Sequence, residues 1–255
     1  MPGSPLAIVS AMREEIGELR QHLLAARTER HAGREFHLGR LHGVPCVLVL
    51  SGIGKVAAAA TTALLLDRFD ARALLFTGTA GGLGSEVAVG DVVIARALLQ
   101  HDLDASPLFP RYEVPLYGRS RFDTDPALSD ALRHAAEQCL AGLAQWIDED
   151  RRRDLGIGQP RVHDGLVVSG DRFVATRAEG EALRRALPQA LAVEMEGAAA
   201  AQVCHDFGRP FAVLRSISDR ADDDTTHDFL QFVSGYASTL THELLRHALP
   251  RCAAA

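Results

Sequence analysis

Short apolar runs of strand length alternate with longer segments of helical periodicity along most of the chain. The runs with the length and composition of strands are Leu6–Ser10, Glu35–Leu41, Pro45–Ser51, Leu74–Thr77, Val92–Leu99, Val162–Ser169, Ala190–Val193 and Phe211–Ser218. The segments with helical spacing are Met12–Ala26, Gly54–Phe69, Pro126–Trp146, Arg177–Ala186, Gly197–Phe207 and Phe229–Leu249. Because strands and helices alternate, the pattern predicts a single α/β domain over residues 1–255, with a mixed, mostly parallel central sheet.

Two connecting segments refine this prediction. The turn His42–Val44 lies between two strand-like runs and predicts a β-hairpin. Residues 147–160 are first charged and then contain glycine, which predicts a loop.

Composition excludes several classes of protein. The 255 residues are 47% hydrophobic and 24% charged, which is ordinary for a globular domain. A net charge of −6 without a basic stripe argues against a nucleic-acid partner. The longest uncharged stretch, Val56–Leu66, is shorter than the ~20 residues of a membrane span. Four cysteines without CxxC spacing and an N-terminus unlike a signal peptide predict a soluble, cytoplasmic protein.

Acidic residues follow two of the predicted strands. The strand at Ala190–Val193 runs into Glu194 and Glu196, and Asp219 ends the next strand. Carboxylates at strand ends lie at the edge of the sheet, where open α/β folds bind their ligands. Together with Glu15, they supply the acid, base and sugar-binding groups that cleavage of an N-glycosidic bond requires. We assign Glu194 to the start of the following helix, where the helix dipole favours negative charge.

Two glycine-rich segments follow strands. Gly52–Ala57 matches the fingerprint of dinucleotide-binding folds, but the next strand ends without the acid that would bind a ribose hydroxyl. We therefore attribute these glycines to a tight turn into the helix. Gly78–Gly82 is predicted to be a loop, either a simple turn or one whose amides face a ligand.

The remaining polar clusters favour structural or solvated roles over a metal or cofactor site. Asp222–Asp224 is predicted to be a solvated loop, with a hard-cation site as the alternative. His101–Asp102 and His227–Asp228 lack the spacing of zinc ligands, which favours structural roles. The sequence contains no GxSxG motif and no cysteine in the context of a nucleophile.

Seven segments in this order resemble the nucleoside phosphorylase/nucleosidase superfamily and, within it, the 5′-methylthioadenosine/S-adenosylhomocysteine nucleosidase family. They are Ser10–Glu15, Ser51–Ala57, Thr77–Gly82, Val89–Val93, Val168–Phe173, Val193–Glu196 and Arg215–Asp219. The resemblance covers nearly the whole chain. It implies a twisted central sheet flanked by helices, a homodimer, a small-molecule nucleoside substrate and no cofactor.

The resemblance also implies roles for individual residues. Glu15 matches the acid that activates the attacking water, and Asp219 matches the acid that binds the purine edge and protonates N7. Glu196 and Met195 match the ribose-binding pair. The other matched positions are Phe173, which stacks on adenine; the backbone of Val174, which reads its edge; Thr79, Ala80 and Gly81 beside the ribose; Ile53 and Phe229 around the 5′ substituent; and Arg215 as a supporting basic residue.

The chemistry fits these residue types. One acid must neutralise the departing base while a carboxylate deprotonates water, so we expect Asp219 to have a raised pKa.

The sequence departs from the family pattern at three places, which are an insertion at 147–160, a different segment at Ala105–Tyr112 and Arg13 beside the usual acidic run. The segment at Ala105–Tyr112 leaves the identity of the 5′ substituent open.

Three alternative functions remain. The first is phosphorolysis, which the charge of Glu15 disfavours because it would repel phosphate. The second is a nucleosidase for another 6-aminopurine nucleoside, such as aminodeoxyfutalosine or adenosine. The third is a non-catalytic nucleoside sensor, which would have no use for Glu15.

Overall fold

The computed structural model describes residues 4–221 and 225–254. Its strands are β1 (Leu6–Ser10), β2 (Leu24–His31), β3 (Arg34–Leu41), β4 (Val44–Leu50), β5 (Ala73–Gly82), β6 (Val92–Gln100), β7 (Arg121–Asp123), β8 (Val162–Ser169), β9 (Ala190–Glu194) and β10 (Phe211–Asp219). Its helices are α1 (Arg13–Gln21), α2 (Lys55–Asp67), α3 (Pro126–Ala141), α4 (Glu149–Asp154), α5 (Arg177–Ala186), α6 (Gly197–Asp206), α7 (Thr225–Phe232) and α8 (Ser238–Ala254).

Within the described residues the strands form one sheet in the order β10-β6-β8-β9-β5-β1-β4-β3-β2, with β7 beside β6. Strand β10 also pairs with β5, so that β5, β10, β6, β8 and β9 close into a ring from which β1 to β4 extend. Parallel and antiparallel pairs both occur, and helices pack on the sheet. The predicted α/β class with a mixed sheet flanked by helices is confirmed.

Strand β5 determines where the site forms. Its parallel neighbours are β1, with Val9 opposite Phe76, and β10, with Leu214 opposite Thr77. Parallel strands end at the same edge of a sheet. The residues that follow β1 and the last residue of β10 therefore meet beside the glycine-rich end of β5.

Side chains of β1 alternate between two cores. Leu6 and Ile8 pack in the cluster formed with α1, α3 and α8, whereas Ala7 and Val9 pack in the cluster formed with α2 and α6. All four are fully buried, as expected of a central strand covered on both faces.

The predicted helix over Met12–Ala26 is wrong in its second half. Helix α1 ends at Gln21, and the chain continues as β2, which pairs antiparallel with β3. Most of β2 is exposed and polar, so it lacks the alternation that marks a half-buried strand. Its pairing with β3 holds it in place. The three-residue β7 was likewise not predicted.

Three other segments differ from the prediction. Gly78–Gly82 is the end of β5 and not a loop, because β10 and β9 both pair with it. The loop predicted at 147–160 contains α4, capped by the Asp148 carboxylate, which accepts a 2.7 Å hydrogen bond from the Arg151 amide. That this segment is an insertion stays a prediction. The closing helix at Phe229–Leu249 is divided between α7 and α8 by π-helical turns at Val233–Ala237.

Other predictions fall outside what the structure describes. The acidic run Asp222–Asp224 and the side chains of His227 and Asp228 are among these residues. None of the helices in residues 4–221 and 225–254 combines the length and hydropathy that a membrane span requires.

Candidate active site

A cavity of about 400 Å³ opens at the edge of the sheet where β1, β5 and β10 end. Its walls include almost every residue singled out from the sequence. They are Glu15, Ile53, Thr79, Ala80, Gly81, Phe173, Val174, Met195, Glu196, Asp219 and Phe229. Positions distributed over the whole chain are therefore brought together in one cleft.

Glu15 lies in the first turn of α1 and is 3% exposed. One carboxylate oxygen accepts hydrogen bonds of 3.0 Å from the amides of Ala11 and Met12. The other accepts from the amide of Thr79 at 3.0 Å and from its hydroxyl at 3.1 Å. Burial raises the pKa of Glu15 although these hydrogen bonds oppose the shift. A fixed carboxylate with a raised pKa is suited to accept a proton.

Asp219 ends β10 and is 2% exposed. The hydroxyl of Ser218 donates to one carboxylate oxygen at 2.8 Å, and the amide of Ala221 donates to the other at 2.9 Å. These hydrogen bonds fix the orientation of the carboxyl group at the wall of the cavity.

Two glycines of β5 make room for the two acids. A Cβ atom at Gly78 would lie 2.9 Å from Oε1 of Glu15, and one at Gly81 would lie 2.8 Å from Oδ1 of Asp219. Both distances are shorter than van der Waals contact. Because glycine has no side chain, the carboxyl groups of Glu15 and Asp219 can approach the backbone of β5 closely at these two positions. This explains why glycines occur within the strand.

Glu194 serves the start of α6, as predicted. Its carboxylate accepts hydrogen bonds from the amide of Gly197 at 2.8 Å and from that of Glu196 at 3.1 Å. Nη2 of Arg215 lies 2.6 Å from the same carboxylate, and both side chains are buried. Arg215 is buried and does not line the cavity, so it would not contact a bound substrate directly. It supports the site by neutralising Glu194 and by stacking on Phe76 at 4.6 Å.

Glu196 lies two residues further along and faces the cavity. Its carboxylate accepts a 2.8 Å hydrogen bond from the amide of Gly54. Burial, followed by the neighbouring charge of Glu194, raises its pKa. Gly52 and Gly54 have φ of +80° and +97°, a conformation that favours glycine. The turn attributed to these glycines is confirmed, and it presents an amide to Glu196.

Asp102 has a structural role at the same turn. Nζ of Lys55 donates to the Asp102 carboxylate at 2.7 Å, and the amide of Asp171 donates to its other oxygen at 2.9 Å. Asp171 in turn accepts from the amide of Lys55 at 2.7 Å. These contacts tie α2 to the segment that precedes Phe173.

The apolar walls are open to a ligand. Phe173 and Phe229 contact each other edge to face with 5.5 Å between ring centroids, and Phe173 is 41% exposed. Ile53 is 58% exposed on another wall. A flat nucleobase and an apolar substituent would bury these side chains.

Sequence reasoning missed several residues of the cavity. Met12 and Ser218 are the most informative, because Ser218 directly precedes Asp219 and Met12 lies three residues before Glu15, each within a matched motif. The others are Ala11, Arg172, Val193 and Leu230. Among the described residues, no group of three or more His, Cys, Asp or Glu side chains is arranged to hold a metal ion.

Comparison with known proteins gives consistent results. The family model described as the phosphorylase superfamily matches residues 5–250. The 5′-methylthioadenosine/S-adenosylhomocysteine nucleosidase of Chromohalobacter salexigens is 39% identical over 233 residues, which cover 91% of this chain and 92% of that protein.

Solved structures resemble the whole fold. The 5′-methylthioadenosine/S-adenosylhomocysteine nucleosidase of Neisseria meningitidis in complex with methylthio-immucillin-A matches with a TM-score of 0.84 and 33% identity, covering 97% of this chain and 99% of that one. The futalosine hydrolase of Helicobacter pylori strain 26695 matches with a TM-score of 0.82 and 31% identity, covering 97% of both chains.

Proposed function

The chain belongs to the phosphorylase superfamily and, within it, to the 5′-methylthioadenosine/S-adenosylhomocysteine nucleosidase family, and we propose that it hydrolyses the N-glycosidic bond of such adenine nucleosides. The products are adenine and the corresponding thioribose. The observation that carries this proposal is the presence of two buried, hydrogen-bonded carboxyl groups, Glu15 and Asp219, in one apolar cleft.

The two acids divide the proton transfers between them. Asp219 donates a proton to N7 of adenine as the C1′–N9 bond breaks and its electron pair leaves with the base. Glu15 takes a proton from water, whose oxygen bonds to C1′. The sugar becomes cationic in the transition state, so an acid at the base and a carboxylate at the water both lower the barrier.

The other residues of the cavity position the nucleoside. Glu196 accepts hydrogen bonds from the 2′ and 3′ hydroxyls, and Met195 packs beside the ribose with Thr79, Ala80 and Gly81. Phe173 stacks on adenine while the backbone of Val174 contacts its edge. Ile53 and Phe229 surround the 5′ substituent. The shared cavity and the exposed apolar faces support these assignments.

Hydrolysis is distinguished from phosphorolysis by the nucleophile. We expect purified protein to release adenine from methylthioadenosine without phosphate, and neither phosphate nor a chelator to change the rate, because carboxyl groups supply and accept the protons. Adenine is followed by absorbance, and the sugar product by mass spectrometry. A sugar 1-phosphate, or a rate that requires phosphate or metal, would overturn the proposal.

A second candidate is a nucleosidase for another 6-aminopurine nucleoside. The match to futalosine hydrolase favours it over a sensor, because that fold relative is also named as a hydrolase. Comparing kcat/KM for methylthioadenosine, S-adenosylhomocysteine and aminodeoxyfutalosine separates the two nucleosidase functions. Binding without adenine release from any of them would indicate the sensor.

Glu196 provides a test of the sugar site. We expect Glu196→Ala to lower kcat/KM for ribosides by roughly 10- to 100-fold, the effect of losing two hydrogen bonds to the sugar, with changes in both KM and kcat. The loss should be smaller for 2′-deoxy substrates, which already lack one partner. Glu181→Ala, at an exposed glutamate of α5, is the control. An equal loss of kcat/KM for ribosides and for 2′-deoxy substrates would contradict the assignment of Glu196 to the ribose site.

We also propose a cytoplasmic homodimer. The four cysteines are free and buried, which supports a reducing compartment.

The support for a homodimer is apolar surface. Leu108 and Leu116 are strongly exposed in the segment that follows β6, and a second copy of the chain could cover them. Sedimentation at micromolar concentration tests the dimer, since a single species at the 27.4 kDa of one chain would contradict it.

A further inference from the structure

A second cavity, of about 690 Å³, adjoins the first. Ile53 lines both cavities, and the consecutive residues Met12 and Arg13 line one each. We call the second cavity the arginine groove. It is defined by Arg13, Arg20, Arg34, Ser51, Gly52 and Ile53. Since Ile53 is assigned to the wall around the 5′ substituent, the groove begins where a longer substituent would leave the active site.

The positive charges of the three arginines in the groove are not neutralised by neighbouring carboxylates among the described residues. The side chains of Arg13 and Arg20, on α1, make no ion pair or hydrogen bond with any residue that the structure describes. Arg34, on β3, donates only to the carbonyl groups of Ala32 and Ala57, at 3.0 and 3.3 Å. Its Nε is buried without a hydrogen-bond partner in the described part of the chain.

The other titratable residues of the groove do not cancel this charge. Glu35 is hydrogen-bonded to Arg30, which does not line the groove and whose contacts lower the pKa of Glu35. Burial and the charge of Arg20 lower the pKa of His37, so its imidazole is neutral near pH 7. Three guanidinium groups therefore face one carboxylate that already has a partner.

We propose that the arginine groove binds a carboxylate carried at the far end of the 5′ substituent, and that the chain thereby favours adenine nucleosides with an acidic 5′ tail over the methylthio nucleoside. The proposal rests on the function proposed above. Guanidinium groups match a carboxylate with paired N–H donors, and they remain charged at every physiological pH. A methylthio group ends at Ile53, whereas a thioether with several further atoms continues into the groove. The amino-acid tail of S-adenosylhomocysteine has this chemistry.

The test compares substrates that differ in one charge. We would measure kcat/KM for adenine release from methylthioadenosine, from 5′-(3-carboxypropylthio)-5′-deoxyadenosine and from its uncharged carboxamide. The wild-type protein should prefer the carboxylate to the carboxamide by about tenfold or more, mainly through KM, as charge-assisted hydrogen bonds imply. High salt should reduce the preference because part of the groove is open to solvent.

A double variant, Arg13→Met with Arg20→Met, should lose this preference and retain turnover of methylthioadenosine within about twofold, since the short substrate does not reach the groove. The matched control is Arg27→Met with Arg40→Met, which removes the same charge from exposed arginines that do not line the groove. The control should keep the wild-type preference. An unchanged preference in the groove variant, or an equal loss in the control, would overturn the proposal.

Calorimetric binding separates failure of the groove from failure of the proposed function. If no nucleoside releases adenine, the hydrolase assignment fails, but tighter binding of the carboxylate than of the carboxamide would still support the groove. Equal Kd values for the two would overturn it, whether or not adenine is released.

Discussion

Replacing Asp219 with asparagine is expected to lower kcat for adenine release by about 100-fold or more, while the nucleoside still binds. Asparagine keeps the shape of the side chain, can still accept the hydrogen bond from the Ala221 amide through Oδ1 and can donate from Nδ2 to the Ser218 hydroxyl, but it has no acidic proton to give to N7. Steady-state kinetics with methylthioadenosine and calorimetric binding of adenine measure the two effects separately.

Asp123→Asn, at an exposed position of β7, is the control and should have wild-type kinetics. An unaltered thermal transition in Asp219→Asn would exclude a folding defect. A near-normal kcat in this variant would show that the carboxyl group only holds the end of β10 through its hydrogen bonds.

Glu15→Gln is expected to slow hydrolysis by roughly 10²- to 10⁴-fold and to leave adenine binding unchanged, because the proton acceptor for water is lost. Glutamine retains one acceptor oxygen, which can serve the amides of Ala11 and Met12, while its NH2 group can donate to the Thr79 hydroxyl in place of accepting from it. The neighbouring variant Glu14→Gln changes an exposed carboxylate on the same helix and should be silent. Adenine release and adenine affinity are the measurements.

The pH profile adds an independent signature. Glu15 must be ionised to act as a base, so kcat/KM falls as pH drops through its pKa. Since burial raises that pKa, we expect the acid limb of the wild-type profile above the ordinary value of 4.5. The limb should disappear from the residual activity of Glu15→Gln. A limb that persists in this variant would assign it to another group, with Glu196 the first to examine.

The sequence predicted those elements whose stability comes from burial. Strand β8 has the predicted bounds, and the largely buried helix α6 begins at the predicted Gly197 and ends one residue before the predicted Phe207. Strand β2 was missed because its stability comes from hydrogen bonds to β3, which leave no apolar pattern. The end of β5 was mistaken for a loop because glycines punctuate turns more often than strands.

The candidate site was predictable to the extent that its acids end apolar strands or open helices. The roles of Glu194 and Glu196 could be distinguished because the start of a helix favours one carboxylate. In the structure the backbone amides at the start of α6 donate hydrogen bonds to Glu194. The arginine groove was not predictable. Its residues come from α1, β3 and the segment after β4, and only the packing of these elements makes exposed arginines neighbours of one cavity.

The central place of β5 also has a consequence for how the protein is made. Its two acidic partners come from opposite ends of the chain, Glu15 from the first helix and Asp219 from the last strand. During synthesis, β1 and β5 leave the ribosome long before β10, so the proposed catalytic pair cannot assemble on a nascent N-terminal fragment. Docking of β10 closes the longest loop in the sheet and is entropically the most demanding step. The proposed catalytic pair therefore forms only after β10 has been synthesised and has paired with β5.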